Sequence, residues 1–311
     1  MNVLSLFDGI SCGRIAIERA GIKINTYYAS EIDPYAIKIT QKNYPNTIQL
    51  GDIIQWKDWH LPQIDLLIGG SPCQGFSHAG KKLNFDDPRS KLFFNYVDIL
   101  RELKPKYFLL ENVKMKQEWI DIITFYLGVE PIELNSELVS AQMRKRLYWT
   151  NIPNIQQPKD KGILLEDIVE SDALVDRDKA HAIIASIGRT THREYFFKNQ
   201  GQIVYKATML SNIYGGFGEN KPRVYLNKNV NVRTSTGGGY IPSLIINNVE
   251  IKFDLNNIKD IIRKVTPLEC ERLQTIPDNY TYGISNTQRY KCIGNGWTVD
   301  MIAHILSYLL K

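Results

Sequence analysis

The sequence predicts an α/β fold: a doubly wound, mostly parallel sheet with helices on both faces, plus a smaller, loop-rich, mainly β domain. Two observations carry this. Through the first half, short apolar runs alternate with amphipathic segments, as parallel strands alternate with crossover helices. From roughly residue 158 to 262 the texture changes to short β-branched runs and glycine clusters with few helical stretches.

Taken in order, NVLSLF at 2–7 reads as the first strand, DGISCG as a turn, and RIAIERAG at 14–21 as a helix closed by its glycine. INTYYAS at 24–30 is a second strand, and PYAIKITQKNY at 34–44 a helix with proline in its first turn. IDLLI at 64–68 and YFLLE at 107–111 are further buried strands, with KLFFNYVDILRELKP at 91–105 as the helix between them. VSAQMRKRLYWT at 139–150 reads as two short strands around a basic turn. The loop-rich stretch contains IYGGFGENKPRVY at 213–225 and VRTSTGGGY at 232–240. After it, TPLECERLQTIP at 266–277 is a helix opened by a Thr-Pro cap, and WTVDMIAHILSYLL at 297–310 a final amphipathic helix.

The 311 residues suffice for one large domain or two moderate ones, and 43% hydrophobic with 23% charged residues is ordinary for a soluble globular protein. A net charge of +5 permits an acidic partner without demanding one. The four cysteines, Cys12, Cys73, Cys270 and Cys292, show no CxxC pairing, so neither a zinc site nor a disulfide framework is expected and no metal is called for. The first ten residues lack a basic region and reach Asp8 too early for a signal peptide, and no apolar run has membrane-spanning length. The expectation is a cytoplasmic protein with no membrane contact.

In a doubly wound sheet ligands sit at the C-terminal ends of the strands. The first three tips carry FDGISCG, SEID and GDI. Gly9 and Gly13 let the backbone turn tightly and approach a ligand. Glu31 stands where an acid can hold ribose hydroxyls, and Asp52 where it can accept from an exocyclic amine. Ser11 and Arg14 break a full G-x-G-x-x-G pattern, which points to a nucleoside without phosphates rather than to NAD.

The next two tips carry chemistry. Cys73 follows the fourth strand in GGSPCQGFS, and Glu111 ends the fifth in ENV, so adjacent tips bring thiol and carboxyl into one cleft. A free thiol of pKa about 8.5 is only slightly ionised at neutral pH, and the basic turn QMRKR at 142–146 is a cation source that raises that fraction. Read alone, Cys73 is equally a small buried hydrophobe and Glu111 a helix-cap partner.

The ordered set FDGISCG, SEID, GDI, GGSPCQGFS, DPRSKLFF, ENV, QMRKR, TPLECERLQTIPD and CIGNGWTV resembles the cytosine-C5 DNA methyltransferases of bacterial and phage type. The likeness covers nearly all of the chain outside the loop-rich insert. It implies a Rossmann-like methyltransferase sheet, S-adenosylmethionine as cofactor, S-adenosylhomocysteine as product and double-stranded DNA as partner. Cys73 would attack C6 of a flipped-out cytosine, Glu111 would protonate N3, Arg146 would contact O2, and Arg144 and Gln142 would position the loop and backbone. The cofactor would meet the turn of Phe7, Asp8, Gly9, Ser11 and Gly13, then Glu31, Ile32, Asp52, Ile53, Pro72, Leu92, Asn295 and Val299. Departures from the commoner family pattern are Ser11 for glycine, Ile32 for a stacking tryptophan, Ser90–Lys91 for Gly-Thr, and Gly296–Trp297 for Ser-Val after Asn295.

By the same likeness the chain divides into a catalytic domain at 1–175, a target-recognition domain and hinge at 176–285, and a returning segment at 286–311. Ser77, His78 and Arg89 would meet DNA from the loop after Cys73. Lys221, Arg223, Arg233, Gly237 and Gly238 would do so from the insert, where arginine commonly reads guanine. A monomer is expected, in a restriction–modification system with a cognate endonuclease or as an orphan or phage enzyme, associated with the nucleoid. Alternatives are a DNA binder without activity, an NAD-dependent enzyme, and the tRNA-methylating branch of the same fold. That branch carries Cys-Phe-Thr in its insert, whereas no cysteine lies between Cys73 and Cys270 here.

Overall fold

Asn2–Leu6 (β1) is the central strand because both its faces are apolar: Val3 points into one core, Leu4 and Leu6 into the other. In the computed structural model, which describes residues 1–72, 88–170, 173–175, 177–191, 204–206, 231–233, 243–246, 249–252 and 262–310, β1 is flanked on both sides by parallel strands. These neighbours are Thr26–Ser30 (β2), which pairs outward with Ile48–Gln49 (β3), and Leu66–Gly69 (β4), which pairs with Tyr107–Val113 (β5). Ile132–Asn135 (β6) is the far edge of the sheet. Gln142–Met143 (β7) lies outside it, and Lys145–Thr150 (β8) inserts antiparallel between β5 and β6. The seven-stranded order is β3-β2-β1-β4-β5-β8-β6, mostly parallel and doubly wound.

The alternation of side chains builds two layers. Leu66, Ile68, Leu109 and Tyr148 share the Val3 side with Ile15 and Ile17 of Cys12–Arg19 (α1) and Ile39 of Pro34–Asn43 (α2). Leu67, Phe108, Leu110, Leu147 and Trp149 share the other side with Phe93 and Tyr96 of Pro88–Leu103 (α3) and with Trp119 and Ile123 of Gln117–Leu127 (α4). Burying one such side chain contributes about 1.5–3 kcal/mol, so the two faces rather than strand propensity hold the sheet.

Most helices begin and end where the sequence marks them. Gly21, at φ +78°, follows α1, and the Asp33 side chain caps α2 through the Tyr35 amide at 2.9 Å. Thr266 and Glu269 form a reciprocal capping box on Pro267–Leu273 (α5), with Glu269 Oε2 accepting from the Thr266 amide at 2.7 Å.

The two short strands expected around the basic turn both form, and alternation of Leu147, Tyr148 and Trp149 draws β8 into the main sheet rather than against β7. Instead β7 pairs with Ala180–His181, and the turn between them reduces to Arg144. α4 went unread although Trp119, Ile123 and Leu127 fall at helical spacing before Gly128. Asn286–Asn295 (α6) is too polar to show a periodic stripe; it is fixed by its Ser285 cap and by Arg289, which reaches the buried Glu271 at 3.1 Å. The last helix, Val299–Ser307 (α7), starts two residues later than expected, with Thr298 as its cap, which leaves Trp297 on the connecting loop.

In the insert the described strands form two small antiparallel sheets: Ala173–Val175, Val204–Lys206 and Ile262–Arg263 in one, Asn231–Arg233, Ser243–Ile246 and Val249–Lys252 in the other. The residues bordering the insert belong to the main core. Ala180, Ile183, Ile187, Val265, Cys270 and Leu273 are buried in the same cluster as α1 and α7.

Candidate active site

The chain leaves β1 toward β2 and β3, then returns to the opposite side of β1 for β4 and β5. Such a reversal opens a crevice beyond the strand ends, where ligands bind. The first wall of the crevice is the turn after β1. Phe7, Gly9 and Ser11 all take left-handed backbone, with φ of 57°, 60° and 58°. A Cβ built on Gly9 would meet nothing within 4 Å, so the turn borders open space.

That turn is tied to its neighbours by a carboxylate. Glu31 Oε2 accepts from the Gly9 amide at 2.7 Å, while Oε1 accepts from the Ile32 and Asp33 amides at 2.8 Å each. Beneath it, Tyr27 donates to Asp8 Oδ1 at 2.8 Å and the Ser11 hydroxyl donates to Oδ2. Burial pushes the Asp8 carboxyl up to about 6, against the hydrogen bonds from Ser11, Ser5 and Tyr27. At the third tip Asp52 Oδ1 caps the Ile54 amide at 3.0 Å, and Gly51 beside it has open space where a Cβ would lie. Ile53 is buried, and Ile32 is 69% exposed.

The opposite wall is the pair of tips after β4 and β5. Glu111 lies two residues from the end of β5 and Arg146 at the start of β8; register pairs Glu111 with Tyr148 and Arg146 with Val113, so both point to the α7 side. Arg146 Nε donates to Glu111 Oε1 at 2.9 Å, and Trp297 Nε1 donates to Oε2 at 3.1 Å. Asn112 is buried and donates to the carbonyl of Ser71 at 3.3 Å, which anchors the backbone leading into Pro72 and position 73.

Behind these walls lies a hydrogen-bonded floor. Gln142 donates to the Leu273 carbonyl at 2.6 Å and to Gln274 Oε1 at 2.8 Å. Arg144 donates to the carbonyls of Ile183 at 3.1 Å and Gly296 at 3.0 Å. Burial pulls its guanidinium down to about 10, helped by the charge of Arg146. Gln142 and Arg144 are both buried and spend donors on backbone carbonyls.

Several other expected site residues also lie within the wall rather than on it. Asp8 and Ser11 spend their polar atoms on Tyr27, Thr40 and each other. Gly13 sits inside α1, where a Cβ would lie 2.4 Å from Ile68 Cδ1 and 3.3 Å from Trp297 Cζ3. Val299 is fully buried in α7. Phe7 and Leu92 are half-buried, and Pro72 and Asn295 are exposed. The α6–α7 loop meets the start of α1, since a Cβ on Gly296 would lie 3.1 Å from Cys12 Sγ.

Cys73, Ser77, His78, Lys221, Arg223, Gly237 and Gly238 lie outside the described residues, as do the side chains of Arg89 in α3 and Arg233 in its strand. The described cysteines are poor nucleophiles. Burial pushes the thiols of Cys12 and Cys292 up to about 12, and that of Cys270 up as well. Sequence reading missed Trp297, Asn112 and Gln274 as parts of the site. Asn112 was in view inside ENV, and Trp297 stood out only as a departure from a familiar pattern.

Comparison with known proteins agrees with this architecture. A profile described as C-5 cytosine-specific DNA methylase matches residues 1–118 and 134–311. The chain is 29% identical to the type II methyltransferase M1.ScrFI of Lactococcus lactis subsp. cremoris, covering 100% of this chain and 78% of that protein. It is 28% identical to the type II methyltransferase M.HhaI of Haemophilus parahaemolyticus, covering 98% and 93%. Among solved structures, a mutant of Spodoptera frugiperda DNMT2 superposes with a TM-score of 0.68 over 100% of this chain and 99% of that one, at 20% identity, a likeness of fold. No helix among the described residues is long and apolar enough to cross a membrane. With a profile that spans nearly its whole length, the chain belongs to the C-5 cytosine-specific DNA methylase family.

Proposed function

We propose that this protein methylates C5 of a cytosine flipped out of duplex DNA, through a transient bond between Cys73 and C6. The observation that carries the reading is the carboxylate of Glu111, held between Arg146 and Trp297 at a strand tip beside the one that leads to Cys73. Cytosine C5 is a poor nucleophile until a thiolate adds to C6. In that addition the Cys73 Sγ–C6 bond forms while Glu111 delivers a proton to N3, so no negative charge builds on the ring. Arg146 keeps its guanidinium against Glu111 and turns its remaining edge to the base O2. Once C5 carries the new methyl, transfer of the C5 proton to a bound water restores the C5–C6 double bond and expels the thiolate. The N3 proton then returns to Glu111.

The open turn at Gly9, with Glu31 and Asp52 at the neighbouring tips, fits an adenosine-bearing cofactor better than a dinucleotide, because no full phosphate-binding glycine pattern is present. S-adenosylmethionine bound there supplies the methyl group. Phe7, Gly9, Glu31, Asp52, Ile53, Pro72, Leu92 and Asn295 would hold it. Recognition of the DNA sequence falls to the interior of the 176–285 segment, since its bordering residues are committed to the main core.

The decisive experiment is trapping on a duplex that contains 5-fluorocytosine, whose C5 cannot release a proton. Peptide mapping should find the DNA crosslinked at Cys73, and Cys73→Ala should abolish the crosslink while retaining DNA binding. Methyl transfer without any adduct would refute the mechanism.

A further inference from the structure

We infer that Trp297 is a positioning residue for Glu111: its indole N–H fixes the second carboxylate oxygen, so the acid meets the base in a single orientation. The inference rests on the reading of Glu111 as the proton donor to the base.

A carboxylate turns easily about its last torsion, which is broad and roughly two-fold. One donor, Arg146 on Oε1, leaves that rotation partly open. A second donor on the other oxygen, Trp297 at 3.1 Å, closes it. The remaining lone pairs are then fixed in direction, and a proton carried there has one place to go.

The surroundings are built to put the indole in that place. A Cβ on Gly70 would lie 3.0 Å from Trp297 Nε1 and 3.1 Å from Glu111 Oε2, so a methyl there would crowd both partners. On the other side Gly13 clears space for the ring, a Cβ there reaching 3.3 Å from Cζ3. The backbone just before the tryptophan is clamped as well. The Gly296 carbonyl accepts from Arg144 Nη2 and Gln274 Nε2, each at 3.0 Å. Buried Gln142 and Arg144 thus reach Glu111 indirectly, through the loop that carries Trp297. A tryptophan serving only as core filler would need the space beside Gly13 but not an N–H directed at a carboxylate.

The test uses Trp297→Phe, which keeps an aromatic but smaller side chain and removes the donor, alone and combined with Glu111→Gln. Trp297→Phe should lower kcat about tenfold or more, with KM for S-adenosylmethionine and for DNA changed less than about threefold. In the Glu111→Gln background the same change should cost less than about threefold further, because the partner is already lost. Multiplicative losses, or a loss confined to the cofactor KM, would overturn the inference. Near-normal turnover in Glu111→Gln alone would instead sink the reading on which it rests. A readout independent of activity comes from the five tryptophans in 15N-indole-labelled protein. The indole N–H signal missing in Trp297→Phe should shift in Glu111→Ala, and an unmoved signal would rule the hydrogen bond out. Gly70→Ala, which leaves both partners in place but crowds them, should reproduce the kcat loss; wild-type kcat in that variant counts against the inference.

Discussion

Arg146 and Glu111 face each other diagonally across two antiparallel strands, with Nε 2.9 Å from Oε1 and both side chains at 15% exposure or less. A pair this buried is weak evidence of stabilisation as formed, yet costly to break, because the surviving charge stays buried alone. Arg146→Ala should therefore lose about 100-fold or more in kcat/KM, measured by labelled methyl incorporation into DNA. It should also lower unfolding stability by about 1–3 kcal/mol in urea. A lysine in its place restores charge but not the guanidinium plane and should recover only part of the activity. Full activity in the alanine variant would remove Arg146 from the chemistry.

Arg144 makes a different prediction, although only one residue separates the two arginines. Its guanidinium spans the carbonyls of Ile183 and Gly296 from inside the core. Arg144→Met keeps much of the apolar stem, strands the Ile183 carbonyl and leaves the Gly296 carbonyl to Gln274 alone, so the fold should weaken by about 1–3 kcal/mol. The urea midpoint should drop with little change in slope. A variant of unchanged stability would mean those carbonyls find other donors.

Much of the fold was legible because β1, β4 and β5 are short apolar runs buried on both faces, a pattern that composition alone can display. What stayed hidden depends on partners distant in sequence. α6 is polar along its length and is fixed by Arg289 reaching Glu271 across 18 residues. β7 and β8 read as two short strands around a basic turn, but that β8 lies between β5 and β6 depends on segments further away. In the site, Glu111 and Arg146 were found from local motifs, whereas the link from Trp297 to Glu111 spans 186 residues and no local pattern announces it. The same holds for Gln142 and Arg144. They were expected to position backbone, but the carbonyls they satisfy come from segments far along the chain.

Asp8 gives the fold a pH signature. Burial raises its carboxyl to about 6 from 3.8. A folded-state value above the unfolded one means that the native protein holds this proton more tightly. The resulting stability is fully present below about pH 4 and is lost as the pH rises through about 6. Two pH units correspond to about 3 kcal/mol. Asp8→Asn cannot titrate, so the stability of the variant relative to the parent should rise between pH 4 and 6 and level off above. Paired urea titrations across that range measure the difference and cancel the other carboxylates. A flat difference would show that Asp8 ionises in the native state as it does unfolded.

Glu31 separates holding a loop from holding a ligand. Its carboxylate already accepts three backbone amides, from Gly9, Ile32 and Asp33, before any ribose hydroxyl arrives. Charge-assisted bonds of this kind are about twice as strong as neutral ones, and the Gly9 bond secures a turn in left-handed backbone. Glu31→Gln keeps one acceptor oxygen and directs an NH2 at a backbone N–H, so either Gly9 or the Ile32–Asp33 pair must lose its partner. S-adenosylmethionine binding measured by calorimetry should weaken about tenfold or more, with a fall in melting temperature from the loosened turn. Asp52→Asn offers the contrast, because asparagine caps the Ile54 amide about as well as aspartate does. Its melting temperature should hold while cofactor affinity falls through the lost charge alone. Unchanged affinity in Glu31→Gln would deny the residue any part in the cofactor site, and an unchanged melting temperature would deny it the turn.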